Sequence, residues 1–171
     1  MELNLDARDA VLYAKLYASL SDIAFARQCA EHIRQKGWNR RPWSRGSGYF
    51  QQSAFVTSLV VSYGRPFASS RGQPNFPQRL LPYDAFQRAL HDLLMQQRNQ
   101  IYAHSDLEHW TVRPWRSEDI ETTIVGQPIL ALEPDQITGF LTMTESLIDR
   151  IRERMSALRS AGPPSAGSMD I

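Results

Sequence analysis

A long apolar stripe at helical spacing runs through the last third of the chain. Its residues recur at steps of three and four positions, which places them on one face of an α-helix. Pro134 suits the first turn of that helix. A face of this length needs other helices to cover it, so the pattern predicts a helical bundle. The stripe consists of Ile137, Phe140, Leu141, Leu147, Ile148, Ile151, Met155 and Leu158.

The first part of the chain also has helical periodicity, up to a stop at Gly37. Asn4 or Asp6 can cap the start of this helix, because their side-chain oxygens accept hydrogen bonds from the first free backbone N–H groups. Ser21 and Asp22 offer a second start signal. One bent helix and two consecutive helices therefore both fit this segment.

Two further segments complete the predicted helices. The segment 49–63 is nearly continuously apolar on one face. Its valine, threonine and serine content keeps a strand open as an alternative, although its length favours a helix. The clearest helix follows Pro82. Its apolar stripe consists of Phe86, Leu90, Leu93, Leu94 and Ile101.

Short β-favouring runs near 110–132 indicate a small β-hairpin, because Pro114 and the Gly126-Gln127-Pro128 segment separate them. The predicted fold class is therefore mainly all-α, a bundle of four to five helices with a possible hairpin. Residues 1–160 are predicted to form a single domain. We expect the tail, 161–171, which is rich in proline, glycine and serine, to be disordered.

Composition argues against several classes of protein. The single cysteine, Cys29, cannot build a disulfide framework or a cysteine-rich metal site. No dinucleotide- or phosphate-binding glycine motif occurs, so no cofactor is expected. His104, Asp106 and His109 could be imagined as metal ligands, but no cysteine or further histidine completes the set, so no metal is expected. The first residues are acidic and do not resemble a signal peptide, and no run approaches the ~18 apolar residues of a membrane span. The expected location is the cytoplasm, with no membrane partner.

The charge is concentrated in the middle of the chain, where residues 34–116 carry twelve basic and four acidic side chains. All but two of the chain's basic residues are arginines, whose planar donors match phosphate oxygens. This pattern indicates a polyanionic partner, although a general preference for arginine would produce it too. The RNA-binding candidates are Arg40, Arg41 and Arg45, which lie in a loop with two tryptophans, and Arg65. The alternative is a loop whose tryptophans pack on the bundle and whose arginines are solvated.

The most specific motif is Arg98-Asn99, four further residues and His104, near the end of the helix that follows Pro82. This motif resembles the signature of the HEPN ribonucleases. The ending Ala103-His104-Ser105-Asp106 is similar to the abortive-infection branch of that superfamily, and the preceding stretch 58–67 resembles what often comes before the motif in bacterial relatives. The resemblance implies a HEPN-like helical bundle and a metal-independent endoribonuclease.

The resemblance also implies roles for the residues of the motif. His104 would be the general acid/base, Arg98 would stabilise the phosphate and Asn99 would position one of the reacting groups. Tyr102, Ser105 and Asp106 are supporting candidates. These residue types suit the chemistry, since an imidazole titrates near neutrality and a guanidinium can neutralise charge that develops on phosphate oxygens.

Helix geometry adds a constraint on this pair. Six positions rotate by about 600° at ~3.6 residues per turn, which leaves Arg98 and His104 about 120° apart. The helix must therefore distort before His104, or a second chain must supply the missing group. The resemblance implies the second solution, a homodimer with a composite site.

Three functions remain open at this point. The first is a toxin or phage-defence effector that cuts RNA to a cyclic 2′,3′-phosphate and is neutralised by a separate antitoxin. The second is a catalytically inactive HEPN-fold dimer that binds RNA, a nucleotide or a protein. The third is a structural bundle, in which His104 is a core or capping histidine and Arg98 is an ordinary surface cation.

Overall fold

The computed structural model describes residues 5–68, 74–102, 111–126 and 128–161. The fold class predicted from the sequence is confirmed: the described residues form four α-helices and one two-stranded antiparallel sheet. The helices are α1 (Ala7–Gln35), α2 (Gly48–Gly64), α3 (Ala85–Gln97) and α4 (Pro134–Ala161). The strands are β1 (Thr111–Arg116) and β2 (Glu121–Gly126).

Helix α1 is one continuous helix, which decides between the two alternatives for this segment. Asp6 caps it by accepting a hydrogen bond from the backbone N–H of Asp9 at 2.8 Å. Gly37 ends it in the left-handed region, with φ at +58°. The N–H groups of Gly37 and Trp38 bond back to the carbonyls of Arg34 and Ile33, which completes a Schellman motif.

The core lies where α1 packs against both α2 and α4, while α3 closes the bundle against α2 and α4. Helix α2 confirms the helical prediction for its segment. Val56, Leu59, Val60 and Tyr63 are fully buried because neighbouring helices cover this face, whereas Phe50 at the start of the helix is 74% exposed. The predicted stripe of α4 is buried throughout. The fully buried side chains include Leu16, Ile23, Val56, Leu59, Tyr63, Leu94, Phe140, Leu147 and Ile151.

Helix α3 begins with a capping box, in which the Asp84 side chain accepts from the Gln87 N–H and the Gln87 side chain accepts from the Asp84 N–H. Leu90 and Leu94 are buried as predicted. Phe86 is 56% exposed, so its placement on the core stripe was wrong. It lies against Gly139, at the edge of the contact between α3 and α4.

The hairpin pairs β1 and β2 in a regular antiparallel register, from Thr111 opposite Gly126 to Arg116 opposite Glu121. Pro114 lies inside β1, which a two-stranded sheet tolerates because both of its strands are edge strands. All twelve residues of the two strands are exposed.

Three short helical turns lie between the longer elements in the part of the chain that the structure describes. Two are 3₁₀ turns, at Arg65–Phe67 and Gln78–Leu80, within the long loop that precedes α3. The third is a π-helical turn, Arg98–Tyr102, which follows α3 directly. None of the helices in the described ranges is long and apolar enough to cross a membrane. The predicted tail, from residue 162 on, lies outside the described residues.

Candidate functional site

The backbone changes geometry where the motif begins. Helix α3 gives way at Arg98 to a π-helical turn that continues to Tyr102. Such turns bond residue i to residue i+5 and are frequent at functional sites. The helix therefore departs from α geometry over the first positions between Arg98 and His104, which leaves both solutions open. His104, Ser105 and Asp106 lie outside the described residues, as does the side chain of Tyr102, so their roles stay predictions.

The Arg98 side chain runs across the carboxyl end of α2, where Gly64 makes room for it. A Cβ atom on Gly64 would lie 2.8 Å from the Cγ of Arg98 and 3.2 Å from its Cδ. The Nη1 of Arg98 donates a hydrogen bond of 2.9 Å to the Oδ1 of the neighbouring Asn99. The Nε is shielded from solvent and has no hydrogen-bond partner among the described residues. Gly64 thus makes room for the stem of this side chain, and Asn99 accepts a hydrogen bond from its guanidinium.

Arg98 lines a cleft of about 290 Å³ between α1 and the end of α2. We call it the Arg98 cleft. Three basic side chains reach it from three different elements, and one carboxylate, that of Asp22, accompanies them. Asp22 accepts a hydrogen bond of 3.2 Å from the Nη1 of Arg65. The lining residues are Lys15, Ala18, Ser19, Asp22, Arg65, Pro66, Ala68 and Arg98. A surplus of positive charge in a space of this size suits a phosphate group.

The other predicted RNA-binding arginines lie elsewhere. Arg40 and Arg41 belong to the loop between α1 and α2 and do not line the Arg98 cleft. The backbone of Arg40 exchanges hydrogen bonds of 2.7 and 3.2 Å with the buried Gln52 side chain, which holds the loop on the bundle. Arg41 forms an ion pair with Glu133 at 2.8 Å. Arg45 is exposed, so of the four candidates only Arg65 shares a cleft with Arg98.

The two tryptophans of that loop behave differently. Trp38 packs edge-on against His32 and Phe55, as the alternative of an ordered, packed loop expects. Trp43 is 76% exposed. Of the two tryptophans, only Trp43 therefore has a ring face that is free to stack on a base.

A second polar cluster, which sequence reasoning missed, lies in the core. The hydroxyl of Tyr63 is 2.7 Å from the Nδ1 of His91 and 2.9 Å from the hydroxyl of Tyr83. Burial lowers the pKa of His91 and raises the pKa of Tyr83 to about 12. We call these three residues the tyrosine–histidine network. Phe67 and Phe140 pack against its rings, so the network is part of the packed interior.

The sequence predictions also missed three residues around Arg98. Lys15 and Asp22 lie seven positions apart on α1, which places them on one helix face, but nothing in that spacing connects them with Arg98. The sequence marks Gly64 only as the end of a helix. Its close approach to Arg98 is a tertiary contact without a local signal.

What the described residues can do chemically is bind an anion at the Arg98 cleft. They contain no group of three histidine, cysteine, aspartate or glutamate side chains arranged to hold a metal ion. A scan against protein-family models, a search of curated proteins and a search of solved structures found no match for this chain. The motif and the cleft are therefore the observations from which a function can be inferred.

Proposed function

We propose that this protein is a metal-independent endoribonuclease similar to the HEPN ribonucleases, and that it acts as a toxin or phage-defence effector. The observation that supports this proposal is the position of Arg98. Its guanidinium lies at the start of a π-helical turn, is held by Asn99, and lines a cleft that contains two further cations. A guanidinium held in this way is suited to grip a phosphodiester with little reorganisation.

The proposed reaction is an internal transesterification. The imidazole of His104 removes the proton of the ribose 2′-hydroxyl, and that oxygen attacks the adjacent phosphorus. The bond to the 5′-oxygen breaks, and this oxygen leaves with a proton returned by an imidazolium. Arg98 neutralises the charge that grows on the phosphate oxygens, and Asn99 keeps the guanidinium in place. The products are a cyclic 2′,3′-phosphate and a 5′-hydroxyl, and no step requires a metal.

A homodimer forms part of the proposal, because two copies related by a two-fold axis would bring two motifs into one cleft. The second copy then supplies a second imidazole, so that one acts as the base while the other acts as the acid. A separate antitoxin protein is the expected neutralising partner. Sedimentation velocity of the full chain tests the dimer directly. A monomer that still cleaves RNA would remove the composite site from the proposal.

The activity test uses the purified full chain, a single-stranded RNA and excess EDTA. We expect fragments that end in a cyclic phosphate. His104→Ala should reduce the rate by about 10²- to 10⁴-fold, the range typical of a lost acid or base. His109→Ala is the matched control, since it removes a neighbouring histidine that lies outside the motif. Equal rates for wild type and His104→Ala would refute the assignment of His104, and intact RNA with folded wild type would refute the activity.

The Arg98 cleft also favours a second candidate, a catalytically inactive dimer that binds RNA, a nucleotide or a protein. Binding a phosphate needs only the cations, which the described residues already bring together. Catalysis needs the additional participation of His104. Tight binding of RNA by wild type without any cleavage, over conditions in which the protein stays folded, would favour this second candidate.

A further inference from the structure

The Arg98 cleft draws its cations from three separate parts of the chain. Lys15 comes from α1, Arg65 from the 3₁₀ turn after α2 and Arg98 from the π-helical turn after α3. Like charges in one cleft repel each other unless an anion lies among them. Among the described residues, Asp22 is the only carboxylate that lines this cleft, so two positive charges remain in excess there.

The hydrogen bonds that these groups already make determine which of them are available to a ligand. The Ser19 hydroxyl donates to the carbonyl of Lys15 at 2.7 Å, so its proton is committed within α1. Arg65 uses one of its five donors on Asp22 and is 58% exposed. Arg98 uses one donor on Asn99. The free donors of the cleft therefore belong to its cations, and a ligand has to be an acceptor.

The size of the cleft narrows the class of ligand. About 290 Å³ is the space of roughly ten water molecules, at ~30 Å³ each in the liquid. This accommodates one phosphodiester group and the edge of a sugar. Part of the Arg98 guanidinium is buried without a partner among the described residues, and an anion in the cleft would compensate its charge.

We infer that Lys15 is a binding residue of the substrate site: together with Arg98 it holds one backbone phosphate of single-stranded RNA, while Asp22 competes with that phosphate for Arg65. The inference rests on the proposed function for the identity of the anion. Lys15 has no place in the Arg98-Asn99-x4-His104 motif. Its role follows from its position on α1, where it is half-buried beside Ser19 and lines the Arg98 cleft.

The chain offers a matched control, because Lys15 and Lys36 are its only lysines. Lys36 is exposed at the carboxyl cap of α1, about 30 Å along the helix axis from Lys15 at ~1.5 Å per residue. Lys15→Gln and Lys36→Gln therefore make the same chemical change on the same helix, one inside the Arg98 cleft and one far from it.

The experiment measures binding of a fluorescent 2′-O-methyl RNA 12-mer at several salt concentrations. This probe lacks the hydroxyl proton that the proposed reaction removes, so it binds without being cut. The logarithm of the RNA-binding constant falls linearly with the logarithm of the salt concentration, and losing one phosphate contact should make this slope less steep by about 0.7. We expect that reduction, with an affinity loss of about fivefold to tenfold, for Lys15→Gln and no change for Lys36→Gln. Asp22→Asn should raise the affinity by about threefold, the size of one charge interaction near a protein surface.

The outcomes separate this inference from the proposed function. If Lys15→Gln binds and cuts RNA as Lys36→Gln does, the subsite is refuted and the ribonuclease stands. If wild type never cuts RNA but the slope falls for Lys15→Gln, the ribonuclease is refuted and the subsite stands. Folded wild type that does not bind the probe refutes both. Displacement of the probe by micromolar inorganic phosphate or AMP would assign the cleft to a small anion and overturn the RNA subsite.

Discussion

Two polar clusters lie next to each other at the carboxyl end of α2, and they are built in opposite ways. Tyr63 belongs to the tyrosine–histidine network, and the following residue, Gly64, contacts Arg98. In the network, the Tyr63 hydroxyl bonds to both the imidazole of His91 and the hydroxyl of Tyr83, inside an aromatic shell. In the Arg98 cleft, the charged groups are only partly paired: Arg65 is largely exposed, and the Nε of Arg98 is shielded without a partner among the described residues.

The difference shows where chemistry is to be sought in this fold. Buried polar groups that bond to one another use up donors and acceptors that a ligand would need, and their main effect is on stability. Cations that are held in place but only partly paired retain donors for an incoming anion. The lowered pKa of His91, taken alone, would make the network the candidate site. The donors of Arg98 that remain free favour the Arg98 cleft instead.

Of the changes that test the difference between the two clusters, Gly64→Ala is expected to have the largest effect. The new Cβ would lie 2.8 Å from the Cγ of Arg98, so the stem of that side chain must move. Displacing a reacting group by about 1 Å can cost roughly 10²-fold in rate, and overpacking typically costs ~1–3 kcal/mol of stability. We expect cleavage of RNA to fall about 100-fold, measured in the EDTA assay, while the protein still folds.

Gly48→Ala is the matched control at the other end of α2. A Cβ there would meet the Arg40 side chain at 3.4 Å or more, an ordinary contact. Alanine favours a helix over glycine by about 0.5–1 kcal/mol, so this variant should be as stable as wild type or slightly more stable, with unchanged cleavage. Equal cleavage by both variants would show that the packing of Arg98 against Gly64 does not matter for activity.

The next largest effect is expected from Tyr63→Phe, a change in the tyrosine–histidine network that leaves the Arg98 cleft intact. Tyr63→Phe removes the hydroxyl that joins His91 to Tyr83 and leaves both without that partner. The unpaired groups should lower the free energy of unfolding by about 1–3 kcal/mol in urea denaturation, with unchanged RNA binding. Tyr17→Phe, at a side chain that is 60% exposed, should change stability by less than about 0.5 kcal/mol. A loss of RNA binding in Tyr63→Phe without a loss of stability would contradict this division between the two clusters.

The fold was largely predictable because periodic apolar residues report directly on helix faces. The α4 stripe from Ile137 to Leu158 is buried as predicted. Phe86 shows the limit of that signal, since periodicity identifies a face but not how deeply each position on it is covered. Ser21 and Asp22 could not show whether the chain begins with one helix or two. Their polar side chains can start a helix, but they are also tolerated within one on a partly exposed face.

The candidate site was less predictable, for a physical reason. Arg98 and Asn99 were found because they are adjacent members of a local motif. Lys15 and Asp22 reach the cleft, and Gly64 approaches the Arg98 side chain, only through the packing of separate helices, which no local pattern records. No local pattern in the sequence predicted the π-helical turn at Arg98. The angle of about 120° between Arg98 and His104 on a straight α-helix only made a distorted helix one of two solutions.

The smallest expected effect is a pH dependence that belongs to the buried cluster. Burial lowers the pKa of His91 below 6.5, and nearby Asp92 opposes this only in part. Below pH 6.5 the unfolded chain therefore binds a proton that folded His91 does not. The free energy of unfolding should fall as the pH drops from 6.5 towards the folded pKa, by at most about 1.4 kcal/mol per pH unit.

Urea denaturation of wild type and His91→Asn between pH 5 and 8 isolates this contribution, because asparagine does not titrate. We expect the difference in stability between the two proteins to shrink steadily below pH 6.5. A difference that stays constant with pH would mean that His91 takes up its proton equally well in both states and that the network is not closed to water.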